Sequence, residues 1–196
     1  MSCTQIIFCA VVAIFFITFI AGMVIMRRQG HDPKGIAAGH TGGAMITSGA
    51  SLLWLAVALF YIFEARSVTW FGRITLLDHD VVKGLGLIVS AVGLLVGIAG
   101  QITMGESFRL AFPREKTKLV TRGIFGYVRN PCALGAIILA LGTVLVAPSW
   151  LALFALAANI VGYELKIRAE EAYLRQTHGA EYEAYCEEAG RYWPRL

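Results

Sequence analysis

Charge is scarce in this chain. Asp, Glu, Lys and Arg make up 15% of its 196 residues against 57% hydrophobic residues, and no charged side chain falls between Cys3 and Met26 or between Arg129 and Glu164. With a mean hydropathy of +0.66 this excludes an ordinary soluble domain and points to an integral membrane protein. Cysteine and histidine are equally sparse, at four each. Cys3 and Cys9 lie in the first apolar run, Cys132 opens the last and Cys186 is in the tail, with no C-x-x-C pair and no histidine at metal-ligand spacing. Neither a disulfide framework nor a metal site is expected. There is no G-x-S-x-G elbow and no P-loop, and the Gly84-Leu-Gly86 pair lacks both a preceding strand and a third glycine, which removes a dinucleotide fingerprint. The formal net charge of +4 does not imply nucleic acid, because the lysines and arginines sit at the ends of apolar runs instead of along one polar face.

The runs themselves give the architecture. Cys3 to Met26 can cross a ~30 Å hydrocarbon core as a helix, and since Arg27 and Arg28 follow it instead of preceding it, it is expected as a retained anchor and not a signal peptide. Gly42 to Phe63 and Val81 to Met104 give a second and a third span, the latter with Lys83 near its start, where it can snorkel. Cys132 to Tyr163 is far too long for one crossing, and Pro148-Ser149-Trp150 near its middle splits it into a short helical hairpin, near 132–147 and 150–163. The expectation is an all-α integral membrane protein with five transmembrane helices, the last two a hairpin, and a cytoplasmic C-terminal helical cap. Basic residues after the first and third spans put those loops in the cytoplasm, and residues 1–104 read as a packing and anchoring region ahead of a catalytic region, 105–196. Glycines inside the spans, Gly93-x-x-x-Gly97 and Gly135 to Gly142, read as helix-packing positions.

Polar residues concentrate at Gly105–Pro131 and Glu164–Leu196, on one side of the hairpin. Glu164 to His178 continues the fifth span as a helix stopped at Gly179, with Glu164–Arg168 and Glu171–Arg175 pairs at i,i+4. Glu170 has only Lys166 behind it, in the less favourable order, so it stands open to either a structural or a functional role. Tyr182 and Tyr185, one turn apart, read as an interfacial anchor. For Arg129 a headgroup contact at the membrane edge is the plain explanation, with Asn130 as N-cap and Pro131 in the first helical turn.

The segment Thr117 to Gly135, TKLVTRGIFGYVRNPCALG, resembles the LVT-x-G…RHP-x-Y-x-G stretch of the isoprenylcysteine carboxyl methyltransferase family and its phospholipid methyltransferase relatives. The tail is similar in the same register: Glu170-Glu171, Leu174, His178-Gly179-x-Glu181-Tyr182-x-x-Tyr185 and Arg191-x-x-Pro194. The resemblance implies a membrane-embedded methyltransferase whose cofactor, S-adenosylmethionine, is held between the motif and the tail on the cytoplasmic side. The acceptor is a lipophilic or lipid-linked molecule arriving from the bilayer. By position it makes Thr117, Leu119, Val120, Phe125, Asn130, Pro131, Ala133 and Glu170 cofactor-binding, Lys166 substrate-facing, and Arg129 and Arg191 catalytic. Glu170 would serve the cofactor's ribose or ammonium, and one of the two arginines its carboxylate. The chain departs from the pattern at Asn130, where the family has histidine, at Ala133, where it has tyrosine, and at Phe125 and His178. Asn130 keeps hydrogen-bonding ability and Phe125 a stacking face, whereas Ala133 keeps neither, which points to a looser pocket or a different substrate. A nicotinamide-dependent sterol reductase-like enzyme, built with a similar R-x-P motif but generally more spans, and a non-catalytic membrane protein retaining the motif are the alternatives.

Overall fold

The computed structural model describes residues 1–28, 42–104 and 119–195. In lipid an uncharged segment has only itself to satisfy its backbone, so the apolar runs become helices. They are α1 (Cys3–Arg28), α2 (Gly42–Phe63), α3 (Ser67–Trp70), α4 (Asp80–Met104), α5 (Pro131–Val146), α6 (Trp150–His178) and α7 (Ala180–Glu188), with 3-10 turns at Thr75–Leu77 and Gly123–Gly126. Helices α1, α2, α4 and α6 are long and apolar enough to cross a membrane, and the protein is an integral multi-pass membrane protein. The 16 residues of α5 span only about 24 Å, so α5 is shorter than the other four. Among the described residues there is no strand beyond isolated bridges.

The hairpin forms where the proline stands. Ser149 caps α6, its Oγ accepting from Ala152 N at 3.3 Å, and the tip is tied down by the loop before α4: Ile74 N donates to Pro148 O and Trp150 N to Gly72 O, each at 2.9 Å. Gly72 sits at φ +77 with Trp150 Cδ1 3.0 Å from the position a Cβ would take, so glycine is required there on both counts. At the same end Asp78 pairs with both Lys83, at 2.5 Å, and Arg73.

Close helix approach explains the glycines. Helix α4 packs most extensively on α5, and α2 on α6. A Cβ built on Gly93 would lie 2.5 Å from Leu139 N, and one on Gly135 equally close to Gly97 N, so α4 and α5 touch backbone to backbone. Gly162 meets Thr47 on α2 in the same way. A buried core of Val11, Trp54, Val57, Leu94, Leu139 and Val144 ties α1, α2, α4 and α5 together, and Trp54 Nε1 donates to Thr143 Oγ1 at 2.8 Å.

Helix α6 runs on without a break past Glu164 to Gly179, whose φ of +54 stops it, and α7 folds back beside it. Tyr182 and Tyr185 are buried, packed with Cys186, Ala189 and Leu119. They are therefore not an interfacial anchor. Tyr185 Oη donates to Phe125 O at 2.8 Å, and burial pushes both phenols up from their ordinary values, which keeps that donor protonated.

Candidate functional site

Two faces of α6 divide the polar residues. Tyr163, Lys166 and Glu170 recur at i, i+3 and i+7 and line cavities, while Glu164 and Glu171, also seven apart, meet the C-terminal segment.

Glu171, 2% exposed, is the hub of the second face. Its Oε1 accepts from Arg129 Nη2 and Arg191 Nε, both at 3.1 Å, and its Oε2 from Arg191 Nη2 at 2.6 Å. Arg175, the expected i,i+4 partner, stays 3.9 Å away and makes its short contact with Glu183 at 3.0 Å. Glu164 pairs with Arg168 at 2.8 Å, as its spacing implied, and adds Arg191 Nη1 at 3.0 Å and the Tyr192 hydroxyl at 2.8 Å. Arg129 completes the lock. Its Nη1 donates to Ala189 O at 2.5 Å and its backbone N to Gly190 O at 2.8 Å, while Gly190 N returns to Tyr127 O at 3.2 Å. With its side chain 9% exposed, Arg129 makes no headgroup contact, because the tail supplies its partners. Asn130 occupies the N-cap position of α5 but does not cap it. Its amide instead donates to Arg191 O at 3.3 Å, and Pro131 starts the helix.

Inside this clamp lies a cavity of about 150 Å³ lined by Phe125, Arg129, Asn130, Pro131, Cys132, Ala133, Ile167 and Glu170, with Gln101 and Met104 from α4. A larger cavity of about 460 Å³ adjoins it between α1, α2, α5 and α6, and Phe15, Phe19, Ala136, Tyr163 and Lys166 line both. The larger size falls in the range of small-molecule sites, roughly 300–1,000 Å³. Seven of the residues carried over by resemblance thus converge on the smaller cavity: Phe125, Arg129, Asn130, Pro131, Ala133, Lys166 and Glu170. Arg191 and Val120 are not among its lining residues, Leu119 packs against the tyrosine cluster, and Thr117 lies outside the described residues. Lys166 Nζ is 3.5 Å from Glu170 Oε1. His178 is buried beside Glu181, 3.5 Å from its carboxylate and away from both cavities.

Arg129, on the wall of the smaller cavity, has both Nη atoms engaged, and its Nε is buried with no hydrogen-bond partner among the described residues. The Arg129 guanidinium borders the cavity and puts positive charge beside it, which favours an anionic or carbonyl ligand oxygen there. With the Glu170 carboxylate, the Lys166 ammonium and the Asn130 amide, the donor set suits a zwitterionic ligand.

Sequence reasoning missed Glu171 as the hub, and it missed Phe15, Phe19 and Tyr163 as shared walls. The seven-residue spacing of Glu164 and Glu171 was a usable signal. The phenylalanines gave none, since in an all-apolar helix nothing marks the face that borders a cavity.

The phospholipid methyltransferase family model matches residues 80–181, more than half of the chain. Two curated proteins, from Oryza sativa subspecies indica and japonica, each named "Probable protein-S-isoprenylcysteine O-methyltransferase", are 30% identical over 115 residues, covering 56% of this chain and 60% of theirs. The chain thus spans less than two thirds of those relatives. The fold is similar to the solved structure of a eukaryotic intramembrane Ras methyltransferase, isoprenylcysteine carboxyl methyltransferase. The TM-score is 0.67 at 19% identity, over 95% of this chain and 64% of that one. Residues 80–181 take in α4, α5 and α6 with the Arg129–Pro131 corner between them, and the chain belongs to the phospholipid methyltransferase family, with isoprenylcysteine carboxyl methyltransferases among its relatives.

Proposed function

We propose that the protein is an S-adenosylmethionine-dependent integral membrane methyltransferase acting on a lipophilic carboxylate, thiol or amine, in the manner of an isoprenylcysteine carboxyl methyltransferase. The observation that carries this is the pair of adjoining cavities: a small one with Arg129, Asn130, Lys166 and Glu170, and a large apolar one, sharing the wall of Phe15, Phe19, Ala136, Tyr163 and Lys166. A polar cofactor and an apolar acceptor need such neighbours, with their reacting atoms meeting at the wall.

The side chains present suit the cofactor's charged groups, and since about 150 Å³ is less than a ligand of its size needs, the cofactor would extend beyond the smaller cavity. Glu170 would hold its ribose hydroxyls or ammonium, the Arg129 guanidinium its carboxylate, and Phe125 and Pro131 its apolar surface. When bound, S-adenosylmethionine supplies an electrophilic methyl group on a sulfonium, open to in-line displacement. The protein's contribution is then alignment, which is worth several kcal/mol, roughly 7–11 at the limit. An ionised carboxylate or thiolate needs no base, consistent with a chain that offers no catalytic triad. Lys166, on the shared wall, would sit beside an anionic acceptor head, and Glu170 would hold the ammonium in place. Arg191 acts at one remove: through Glu171 it fixes Arg129. The basic residues beside α1 and before α5 support a cytoplasmic position for this end of the bundle, with α5 and α6 read as a hairpin of two crossings and five spans in all.

Equilibrium binding of S-adenosylhomocysteine and of NADPH to the purified protein in detergent tests the reading. Saturable binding of the first and none of the second is expected. NADPH binding without S-adenosylhomocysteine binding would favour a reductase, and binding of neither would favour a non-catalytic role.

A further inference from the structure

We infer that Trp54 is the floor of the acceptor site and limits the length of the apolar chain the protein accepts. This rests on the methyltransferase reading for the identity of the occupant, and on geometry for the limit itself.

The large cavity has a direction. On α2 its walls run from Ala44 to Leu55, on α5 from Ala136 to Ala140, and on α6 from Lys166 back to Asn159. All three begin at the level of the smaller, polar cavity and go deeper into the bundle. Eleven residue steps along α2 amount to a depth of about 16 Å. Ser48 and Leu52, both exposed, lie on the same wall, so the chamber is open sideways along α2.

The polar side chains along the wall do not call for a polar occupant. Thr47 Oγ1 donates to Gly43 O at 2.7 Å, Ser51 Oγ to Asn159 Oδ1 at 3.2 Å, and Asn159 Nδ2 to Ala155 O at 2.8 Å. Tyr163 and Lys166 stand where the chamber borders the polar cavity and Ser48 at the side opening; deeper in, Phe15, Phe16, Leu52, Leu55 and Leu139 give aromatic and aliphatic surface, which favours a hydrocarbon chain.

The chamber ends at an indole that cannot easily move. Trp54 is 7% exposed, and its Nε1–H is held by Thr143 Oγ1 at 2.8 Å, one turn below Ala140. Phe15 stands edge-on to it, with ring centroids 5.6 Å apart, and Phe16 lies nearly parallel at 6.4 Å. Val11, Val57, Leu94 and Val144 belong with it to one close-packed core. A chain that follows the chamber to its end therefore meets a locked ring backed by solid packing, and further length has to turn out through the side opening instead of adding buried contact. Truncating Trp54 is also tolerable to its partner, since Thr143 Oγ1 still donates to Leu139 O at 3.0 Å.

The test uses N-acetyl-S-alkylcysteines with octyl, dodecyl and hexadecyl chains brominated at the terminal carbon, which quench tryptophan on contact. Taking the difference between wild type and Trp54→Phe isolates the Trp54 signal from the three exposed tryptophans. The expected result is Trp54 quenching severalfold stronger with dodecyl than with octyl, which is too short to reach it, and no tighter binding for hexadecyl than for dodecyl. In Trp54→Ala, hexadecyl should become the tighter ligand. Equal quenching at all lengths, or none assignable to Trp54, overturns the inference even if Trp54→Ala does not fold. S-adenosylhomocysteine binding, measured on the same samples, separates the two claims. Its presence with no Trp54 quenching defeats the floor alone, and its absence with length-dependent quenching defeats the methyltransferase reading and leaves the chain site standing.

Discussion

Replacing Glu171 by glutamine removes the one negative charge shared by Arg129 and Arg191 while keeping the side chain's shape. The substituted amide also turns one acceptor into a donor facing a guanidinium. Arg129 is then left charged, with a 9% exposed side chain and only the carbonyls of Cys186 and Ala189 for company. Breaking a buried ion pair from one side costs about 3–5 kcal/mol, and the half-exposed Arg191 side contributes less because water screens it, so about 3 kcal/mol is expected. The loss should concentrate at the tail, because Arg129 also pins Ala189 and Gly190. Denaturant-driven unfolding in detergent measures the total, and limited proteolysis after α7 reports the local release. The double variant Glu171→Gln/Arg191→Gln should cost clearly less than the sum of its parts, since both remove the same contact. Arg168→Ala, which among the described residues pairs with Glu164 from an exposed position, serves as the control and should change stability little. A Glu171→Gln protein within about 0.5 kcal/mol of wild type, the scatter typical of surface changes, would refute the claim that this carboxylate holds the tail to the motif.

Glu170→Gln should weaken S-adenosylhomocysteine binding by at least ~1.5 kcal/mol, the scale of a charge-assisted hydrogen bond, without the stability loss of its neighbour; unchanged affinity in a titration would clear it of the role. Gly93→Ala should destabilise by about 1–3 kcal/mol through overpacking against Leu139, whereas Gly97→Ala, whose added Cβ has nothing within 4 Å, should be neutral; equal unfolding midpoints would contradict the close α4–α5 contact. Burial raises the Asp78 carboxyl, but the hydrogen bond and charge of Lys83, with Arg73, outweigh it and hold it below its ordinary value. Its stabilisation is therefore full above the ordinary carboxylate range, near ~3.9, and lost as pH falls through the lower folded value; acid unfolding curves of Asp78→Asn should lack that component. For orientation, a cysteine at the buried Ser149 would be silent, so labels belong at Leu76 and Trp193, both well exposed. An impermeant thiol reagent should reach position 76 from outside and position 193 only from inside, judged by labelling in intact and opened cells.

What could be read without a structure divides along a physical line. The helices α1, α2 and α4 and the α5–α6 hairpin follow from uncharged runs and one proline, because in a bilayer the backbone has no alternative to helix. Gly179 as a helix stop and Glu164–Arg168 as a pair are local, within one turn, and were equally legible. What escaped is long-range. Whether Glu170 or Glu171 faces a cavity is a matter of 100° of helix rotation, and both have plausible i,i±4 partners, so the choice is made by a segment twenty residues away: Arg191 reaches Glu171 only because α7 folds back at Gly179 and Gly190 pairs with Val128. The tyrosines changed character for the same reason, since the hydrophobic contact they needed came from Leu119 and Leu174, and the Tyr185 hydroxyl found the Phe125 carbonyl, instead of lipid and water.

That division has a consequence for Arg129. A basic residue flanking an apolar helix is ordinarily assigned to headgroups, and at most such positions the assignment holds because water and lipid are its only neighbours. Here α6 supplies a buried carboxylate and the tail two carbonyls for the Nη groups, while Nε is buried with no partner among the described residues. Engaging the Nη groups fixes the plane of the guanidinium beside the cavity, so the ion network that stabilises the fold also sets where this charge sits. Structural and functional accounts of this arginine are then not rivals. Removing Glu171 should disorder the guanidinium as well as the tail, so S-adenosylhomocysteine affinity should fall in Glu171→Gln even though Glu171 does not line the cavity.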